Sequence, residues 1–389
     1  MKAKTDAKKI EELLNRGVVE ISPSRDGLRN ILSRRKIRVY NGIDPTAKRL
    51  HLGHSITLRK LQQFADLGHE AILVVGTGTV LAGDPSERDK ARPKILEKEI
   101  RDNIKTWPKQ AGKILDFSKV KIKYNGDWLT KLGYKEIIDI ASHVSAIKLL
   151  QREMFRRRVK RGDTVWTHEA LYPLFQGYDS VALDVDLEIG GTDQTFNMFI
   201  GRELLQKMRG KEKYNMTLKM VLGTDGKHMS KTVGNCVWLE DSPDQMYGKI
   251  MSISDELVSD YFEALTSAPL GEVRGLPPRE AKAKLAREIV LMYHGGQAAF
   301  KAEKEFNAVF KEGGLPSRIP AISIKEKNIN ILDLLVKTKL ARSKSEAKRL
   351  VEQGGVEIDG EIKKDWREEI EIKKGQIVQV GKRRFVKVI

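Results

Sequence analysis

IRVYNGI at 37–43, DPTAKRLHLGH at 44–54, SITLRKLQQFADLG at 55–68 and AILVVG at 71–76 follow one another almost without a gap. The first and last runs are short, apolar and rich in β-branched residues, the signature of buried strands. Between them lies a turn-rich loop and then a segment with apolar residues at helical spacing, closed by Gly68. Strand, Gly/Pro-bearing loop, helix, strand is a βαβ unit of a parallel sheet, whose ligands are expected at the carboxyl ends of the strands.

Outward from this unit the chain changes character in steps. From about 93 to 165 the pattern is largely helical, interrupted by strand-like VKIKYNG at 120–126, and reads as an insertion between two halves of the sheet. ALDVDLEIGGTDQ, 182–194, looks like a returning strand and loop, and TFNMFIGRELLQKMRG like the next helix. After Asp241 there is helical periodicity and little strand signal. Gly313, Gly314, Pro316 and Pro320 mark a linker, and from Ile331 the pattern predicts two short helices, a hairpin and further strands. No internal repeat or low-complexity tract is present.

Composition narrows the function classes. The 389 residues carry 71 Lys+Arg against 53 Asp+Glu, a formal charge of +18, which points to a polyanionic partner. The longest apolar stretch, around Ala71–Val75, is far short of a membrane span, and the amphipathic N-terminus offers no secretory hydrophobic centre. A single cysteine, Cys236, allows no intrachain disulfide and no thiolate metal cluster, so no metal site is expected and a cytoplasmic location is.

Four constellations carry chemistry. His51-Leu52-Gly53-His54 begins a helix, so two imidazoles three residues apart share a face where helix N–H groups favour phosphate, and Gly53 lets a flat base approach. Asp225-Gly226-Lys227-His228-Met229-Ser230-Lys231-Thr232 is a cationic loop suited to charge developing on phosphate oxygens. Gly190-Gly191-Thr192-Asp193-Gln194 joins a strand to a helix and can bond a ribose or an amino acid. Tyr172, Gln176 and Asp179, spaced by four and three, place a phenol, an amide and a carboxylate on one helical face. Taken singly, each has a bland reading as an exposed turn or a solvated face.

HLGH preceded by GIDPT, then the YxxxQxxD face, GGTDQ and the HMSKT loop, in this order, resembles the class I aminoacyl-tRNA synthetases, specifically the tyrosyl-tRNA synthetase family of the bacterial type. The resemblance runs from Tyr40 to Thr232 and extends to the C-terminal segment. It implies an α/β fold with a Rossmann-like catalytic domain over 1–240, an α-helical anticodon-binding domain over 241–322, and a small α+β RNA-binding module of the ribosomal-protein type over 329–389. It implies a ligase that makes tyrosyl-adenylate from L-tyrosine and ATP, with Mg²⁺ arriving on the ATP, and passes tyrosine to its tRNA.

Residue by residue, the resemblance gives His51, His54, Thr46, Lys227 and Lys231 catalytic roles at the triphosphate. Tyr40 and Asp179 would bind the substrate phenol; Asp84, Tyr172 and Gln176 would surround its ammonium, and Gln194 its carboxylate. Asp44, Gly53, Thr57, Gly191, Asp193, His228, Met229, Ser230 and Lys231 would contact ATP. Arg342, Lys344, Lys348 and Arg349, at helical spacing, would meet the RNA backbone. The run 145–161, with seven basic residues and one acid, Glu153, would lie at a homodimer interface facing the acceptor stem.

This chain departs from the pattern in three places. His228 stands where the signature loop has its first lysine, Asn41 where well-known members have cysteine, and ERDKARP after Ser86 lacks a Gly-Lys pair, leaving Arg88, Lys90 or Arg92 for phosphate. Tryptophanyl-tRNA synthetase, and a synthetase-like RNA-binding protein of weak catalytic power, are the alternative readings.

Overall fold

The computed structural model describes residues 6–86, 95–229, 233–310, 315, 319–381 and 384–389. They divide into two compact units, Met1–Phe300 and Lys301–Ile389. The first is built on a six-stranded sheet of β1 (Val18–Ser22), β2 (Arg38–Ile43), β3 (Glu70–Val75), β4 (Val120–Tyr124), β5 (Leu187–Gly191) and β6 (Tyr214–Leu218), in the order β1-β6-β5-β2-β3-β4. All neighbours are parallel except β1 against β6. β3 and β5 are buried almost end to end, as strands covered on both faces must be.

The chain runs outward from β2 through β3 to β4, then returns to β5 on the other side of β2. That reversal opens a crevice at the carboxyl ends of β2 and β5, where a ligand is expected. In the register Tyr40 of β2 pairs with Glu188 of β5, so the two side chains leave the sheet on the same face. VKIKYNG, read from sequence as a break within a helical insertion, is instead the edge strand of the main sheet. Its pattern of one buried residue followed by mostly exposed ones is what an edge allows.

Two helices cover this part of the sheet. Leu52–Asp66 follows β2, and Thr167–Leu183 precedes β5. The latter packs closely on the helix Thr195–Arg209 because Gly177 meets Gly201: a Cβ on Gly177 would lie 3.1 Å from the Gly201 nitrogen. The N-terminus of Thr167–Leu183 is fixed by Glu169, which accepts from the Trp166 backbone N–H at 3.1 Å and from both terminal nitrogens of Arg158 at 2.8 and 2.9 Å.

The boundary expected at 240 is not a boundary in packing, because residues 241–300 belong to the same unit as the sheet. Arg16 donates to the Phe262 and Ala268 carbonyls at 3.1 and 2.8 Å, and Lys219 pairs with Asp260 at 2.6 Å, which ties the helix Val258–Leu265 to the sheet domain. The sequence still reads the helices themselves correctly: Pro243–Met251, Val258–Leu265, Pro278–His294 and Gly296–Phe310.

In the second unit the helices Ile331–Lys337 and Lys344–Glu352 and the hairpin Val356–Ile358/Glu361–Lys363 appear where the pattern predicts them. A core of Ile331, Leu334, Leu335, Val351, Val356 and Val378 holds them on a five-stranded sheet. Most of the linker, including Gly313, Gly314 and Pro316, lies outside the described residues.

Arg158 and Glu169 are each only 2 % exposed. Removing one partner of such a pair strands the other charge, so Glu169→Ala should lower unfolding stability by about 3–5 kcal/mol. Arg158→Met added to it should return much of the loss. Urea unfolding followed by far-UV circular dichroism checks this, and an unchanged midpoint in Glu169→Ala would show that the pair contributes nothing.

Candidate active site

HLGH sits at the mouth of the crevice, and its geometry is set by the two histidines capping one another's turn. The His51 Nδ1 accepts from the Gly53 N–H at 3.1 Å, the His54 Nδ1 accepts from the His51 N–H at 3.1 Å, and the ring centroids are 3.9 Å apart. Burial holds His51 well below the usual imidazole range and His54 down to about 4. Both rings are therefore neutral at pH 7. With Nδ1 accepting, each proton sits on Nε2, so the pair offers two uncharged donors.

Gly53 is needed for a local reason as well: a Cβ there would lie 2.9 Å from the His51 ring, with the Met229 sulfur 3.7 Å away. Met229 belongs to the second loop, so the two signatures meet. A short backbone ladder brings them together, in which the Leu52 N–H donates to the Val237 carbonyl at 3.0 Å and the Leu239 N–H to the Leu50 carbonyl at 2.9 Å. Asn235, which the sequence reading did not single out, closes the loop by donating to the Asp225 carboxylate at 2.7 Å and the His228 carbonyl at 2.9 Å. Lys227 and His228 are exposed on it. Ser230, Lys231 and Thr232, like Arg88, Lys90 and Arg92, lie outside the described residues.

Deeper in the crevice the helix face and the strand ends converge. The Tyr172 hydroxyl donates to Asp44 at 3.0 Å, and the Thr79 hydroxyl donates to the other Asp44 oxygen at 2.7 Å. Gly76 leaves room for this carboxylate, since a Cβ there would sit 2.0 Å from it. Thr46 donates its N–H to the Asp44 carbonyl at 2.8 Å, and Thr57 donates its hydroxyl to the His54 carbonyl at 3.2 Å. The Gln194 amide donates to Asp84 and to Asp193, both at 2.9 Å, and so links these two carboxylates. Gly191 lies against Asp193.

The innermost group is sealed from water. Tyr40 is fully buried, and its hydroxyl is 3.1 Å from that of Ser180, the residue after Asp179. Asp179 accepts from Trp128 at 2.8 Å and Asn125 at 3.0 Å. Burial, reinforced by the charges of Glu188 and Asp179, holds Tyr40 well above the phenol range. For Asp179 burial again dominates, with Glu188 and Asp44 adding to it, and raises the carboxyl well above its usual range against the pull of its two donors. The Gln176 amide donates to Glu188 at 3.0 Å, and its own oxygen is buried with no partner.

Arg152 is a site residue that the sequence placed elsewhere. Within the basic run 145–161 it is buried, donates to Ser86 at 3.0 Å beside Asp84, and lies over the Phe196 ring at 4.6 Å. Together with the buried Arg158, this removes two of the seven cations of that run from any RNA-facing surface; Lys148, Arg156, Arg157, Lys160 and Arg161 remain exposed. In the second unit Arg342, Lys344 and Arg349 are exposed, Lys344 pairing with Asp333 at 2.7 Å, and Lys348 lies over Trp366 at 4.4 Å. Asn41 donates to the Ile189 carbonyl at 2.9 Å and leaves its buried oxygen unpartnered.

Residues 32–311 match the family described as tRNA synthetases class I (W and Y), and residues 311–388 match the tyrosine–tRNA ligase SYY-like C-terminal domain. Tyrosine–tRNA ligase of Moorella thermoacetica is 42% identical over 390 residues, covering 97% of this chain and 94% of its own length. That of Thermotoga maritima is 41% identical over 387 residues, covering 97% and 96%. Among solved structures, a C-terminally truncated mitochondrial tyrosyl-tRNA synthetase of Aspergillus nidulans superposes with a TM-score of 0.67 at 21% identity, covering 78% of this chain and 94% of that one. Tyrosyl-tRNA synthetase of Archaeoglobus fulgidus, in complex with L-tyrosine, gives 0.60 at 20% identity over 76% and 99%. At these identities the structures speak for the fold.

A histidine whose pKa is lower folded than unfolded binds its proton more readily in the unfolded chain. Stability is then complete above pH ~6.5, the unfolded value, and falls as the pH drops through the window down to the folded value. For His54 that window ends near pH 4. The stability lost by the wild type between pH 7 and pH 5 should therefore be smaller in His54→Gln, and urea midpoints at the two pH values measure the difference. Equal losses would place the titration elsewhere.

Proposed function

The chain belongs to the class I tRNA synthetases for tryptophan and tyrosine, and we propose that the crevice described above carries out both half-reactions of a tyrosine–tRNA ligase. In the first, a carboxylate oxygen of tyrosine attacks the α-phosphorus of ATP. The new acyl–phosphate bond forms as the bond to the β-phosphate oxygen breaks, and pyrophosphate leaves. In the second, a ribose hydroxyl at the tRNA terminus attacks the carbonyl carbon, and AMP leaves.

One observation carries the tyrosine reading: a buried hydroxyl, Tyr40, and a buried carboxylate, Asp179, at the inner end of the crevice. A phenol can donate to the carboxylate and accept from the hydroxyl, whereas an indole N–H only donates. Phenylalanine would leave both protein groups unpaired in a dry site, which is how such a pocket rejects it without editing; the handling of phenylalanine by this same enzyme family is the standard illustration of the effect. At the other end of the amino acid, the unpartnered oxygen of Gln176 suits an ammonium donor, with Asp84 and Tyr172 around it.

His51 and His54 supply neutral donors to the triphosphate oxygens. The cationic work falls to Lys227 and, by resemblance, Lys231, which holds the departing pyrophosphate, with Met229, Ser230 and His228 beside the nucleotide. Gly191, Asp193 and the free oxygen of Asn41 suit the ribose, while Asp44, Thr46, Gly53 and Thr57 line the approach of ATP. Among the described residues no cluster of three metal-ligating side chains occurs, so Mg²⁺ belongs to this reading as the counter-ion of ATP, held by phosphate oxygens. Catalysis is then positioning plus electrostatics, with no covalent enzyme intermediate.

The RNA is met by Arg342 and Arg349, with Lys344 and Lys348 near them, and by the exposed cations of 145–161. Tyr134, Ile138, Ile147 and Leu150 are exposed apolar residues in the same region as that run and support a homodimer. A cytoplasmic location is part of the same reading. Among the described residues no helix is long and apolar enough to cross a membrane.

Asp179→Ala should reduce kcat/KM for tyrosine in ATP–pyrophosphate exchange by several kcal/mol, on the order of 10²–10³-fold, and that for phenylalanine much less. Equal losses would defeat the pocket assignment. A chain ending near Phe310 should still form the adenylate but charge tRNA poorly, with a shallower salt dependence of RNA binding because phosphate contacts are gone. Full charging by that chain would show the second unit to be dispensable.

A further inference from the structure

Lys213 stands just before β6, wholly buried, and is not among the residues that touch tyrosine or ATP in the reading above. It forms a close ion pair with Glu188 and donates to the Ser180 hydroxyl at 2.9 Å; Ser180 in turn lies 3.1 Å from the Tyr40 hydroxyl. The protons along this line can be assigned. A lysine ammonium donates and never accepts, and a serine hydroxyl has one proton to give. Lys213 and Tyr40 are the two partners that the structure gives the Ser180 hydroxyl. Its proton must therefore go to the Tyr40 oxygen, because the structure gives it no other acceptor among the described residues and a buried donor left unmade is costly.

With Ser180 donating to it, Tyr40 has its own proton to give. In the empty site that proton goes to Glu188, whose oxygens also take Lys213 and the Gln176 amide; a substrate oxygen shared with no other donor is the acceptor it turns to on binding. We propose that Lys213 and Ser180 are positioning residues that set the direction of a hydrogen-bond chain, from Lys213 to Ser180 to Tyr40 to the substrate oxygen to Asp179, so that Tyr40 presents a donor and only a donor. The inference rests on the reading of Tyr40 and Asp179 as the phenol pocket, and it adds something that this reading lacks. A pocket of two polar groups rejects a substrate with nothing at the para position. A pocket with a fixed donor and a fixed acceptor also rejects a substrate whose para group only donates.

The distinguishing substrate is 4-aminophenylalanine. Its amino group can donate to Asp179, but its nitrogen is a poor acceptor, and it meets the Tyr40 proton head on. Once the chain is undirected, Tyr40 can rotate and accept from that amino group. The experiment measures kcat/KM in ATP–pyrophosphate exchange with tyrosine, phenylalanine and 4-aminophenylalanine for the full-length wild type, Lys213→Met, Ser180→Ala and Tyr40→Phe.

The expected result is that Lys213→Met and Ser180→Ala each lower the tyrosine to 4-aminophenylalanine ratio by tenfold or more, with the KM for ATP within twofold of wild type. A residue that merely stabilises the fold would lower both substrates together and leave this ratio unmoved. Lys213→Met strands Glu188 and can fail to fold. Ser180→Ala leaves the ion pair in place, so it decides the matter by itself: a ratio within twofold of wild type in that variant overturns the proposal. Tyr40→Phe separates the two levels of failure. If it leaves the tyrosine to phenylalanine ratio unchanged, the phenol pocket is misassigned and the directed chain falls with it. If it collapses that ratio while Ser180→Ala leaves the amino-substrate ratio alone, the pocket stands and only the directed chain is wrong.

Discussion

Glu188 is a carboxylate near the start of an interior parallel strand, 2 % exposed, and the organisation of the crevice follows from the need to keep it paired. An isolated charge at such a place is several kcal/mol unfavourable, so its oxygens must be occupied by donors that come from other elements. One is the Gln176 amide on the helix Thr167–Leu183, and the other is the Lys213 ammonium at the entry to β6. Together these contacts fix the roll of the helix on the sheet. That roll also aims Tyr172 at Asp44 and places Asp179 against Trp128 and Asn125. A single desolvated charge thus couples strand register, helix orientation and the amide of Gln176.

The histidine turn is built on the opposite device. The histidines there are kept neutral by burial and locked in one tautomer by backbone N–H groups. In the proposed reaction such neutral donors would hold a triphosphate in the ground state without gripping it as a cation would. In the same proposal positive charge is left to the Asp225–Thr232 segment, whose attraction would grow as the pyrophosphate develops charge. Interactions that grow toward the transition state accelerate the chemical step, whereas equally tight binding of both states does not. The ladder between Leu50–Leu52 and Val237–Leu239 anchors this loop to the histidine turn.

What the sequence made legible is what lies in short spans. The βαβ unit, the turn carrying HLGH and the face of Tyr172, Gln176 and Asp179 follow from periodicities of two and 3.6 and from helix-start signals, because each is built within a dozen residues. Lys213, Ser180, Asn125, Trp128 and Arg152 were not legible. They enter the site through contacts between elements tens of residues apart, and no local spacing marks a lysine that will be wholly buried. The basic run 145–161 shows the same limit from the other side. Its charges look uniform as a string, but Arg152 and Arg158 turn inward to Ser86 and Glu169. The strand Val120–Tyr124 was seen, yet its membership of the main sheet depends on pairing with β3, which only the fold supplies.

Asp44, Asp84, Asp179, Glu188 and Asp193 all converge on one crevice, and Asp179 is held there at the cost of its charge. Asp44 and Glu188 both push the Asp179 carboxyl upward, in the same direction as its burial, and the Asn125 and Trp128 donors oppose them only in part. Such repulsion lowers the stability of the free protein, a familiar trade between stability and activity at functional sites. In the proposed reading tyrosine brings an ammonium to Asp84 and Gln176 and a phenol proton to Asp179, adding to the donors that Lys213, Gln194, Tyr172 and Thr79 already supply. Such binding would relieve the unfavourable charge at Asp179, where burial and two carboxylates act together. A ligand without the phenol proton would leave that charge unrelieved, so the carboxylate that weakens the empty site would also make it discriminate.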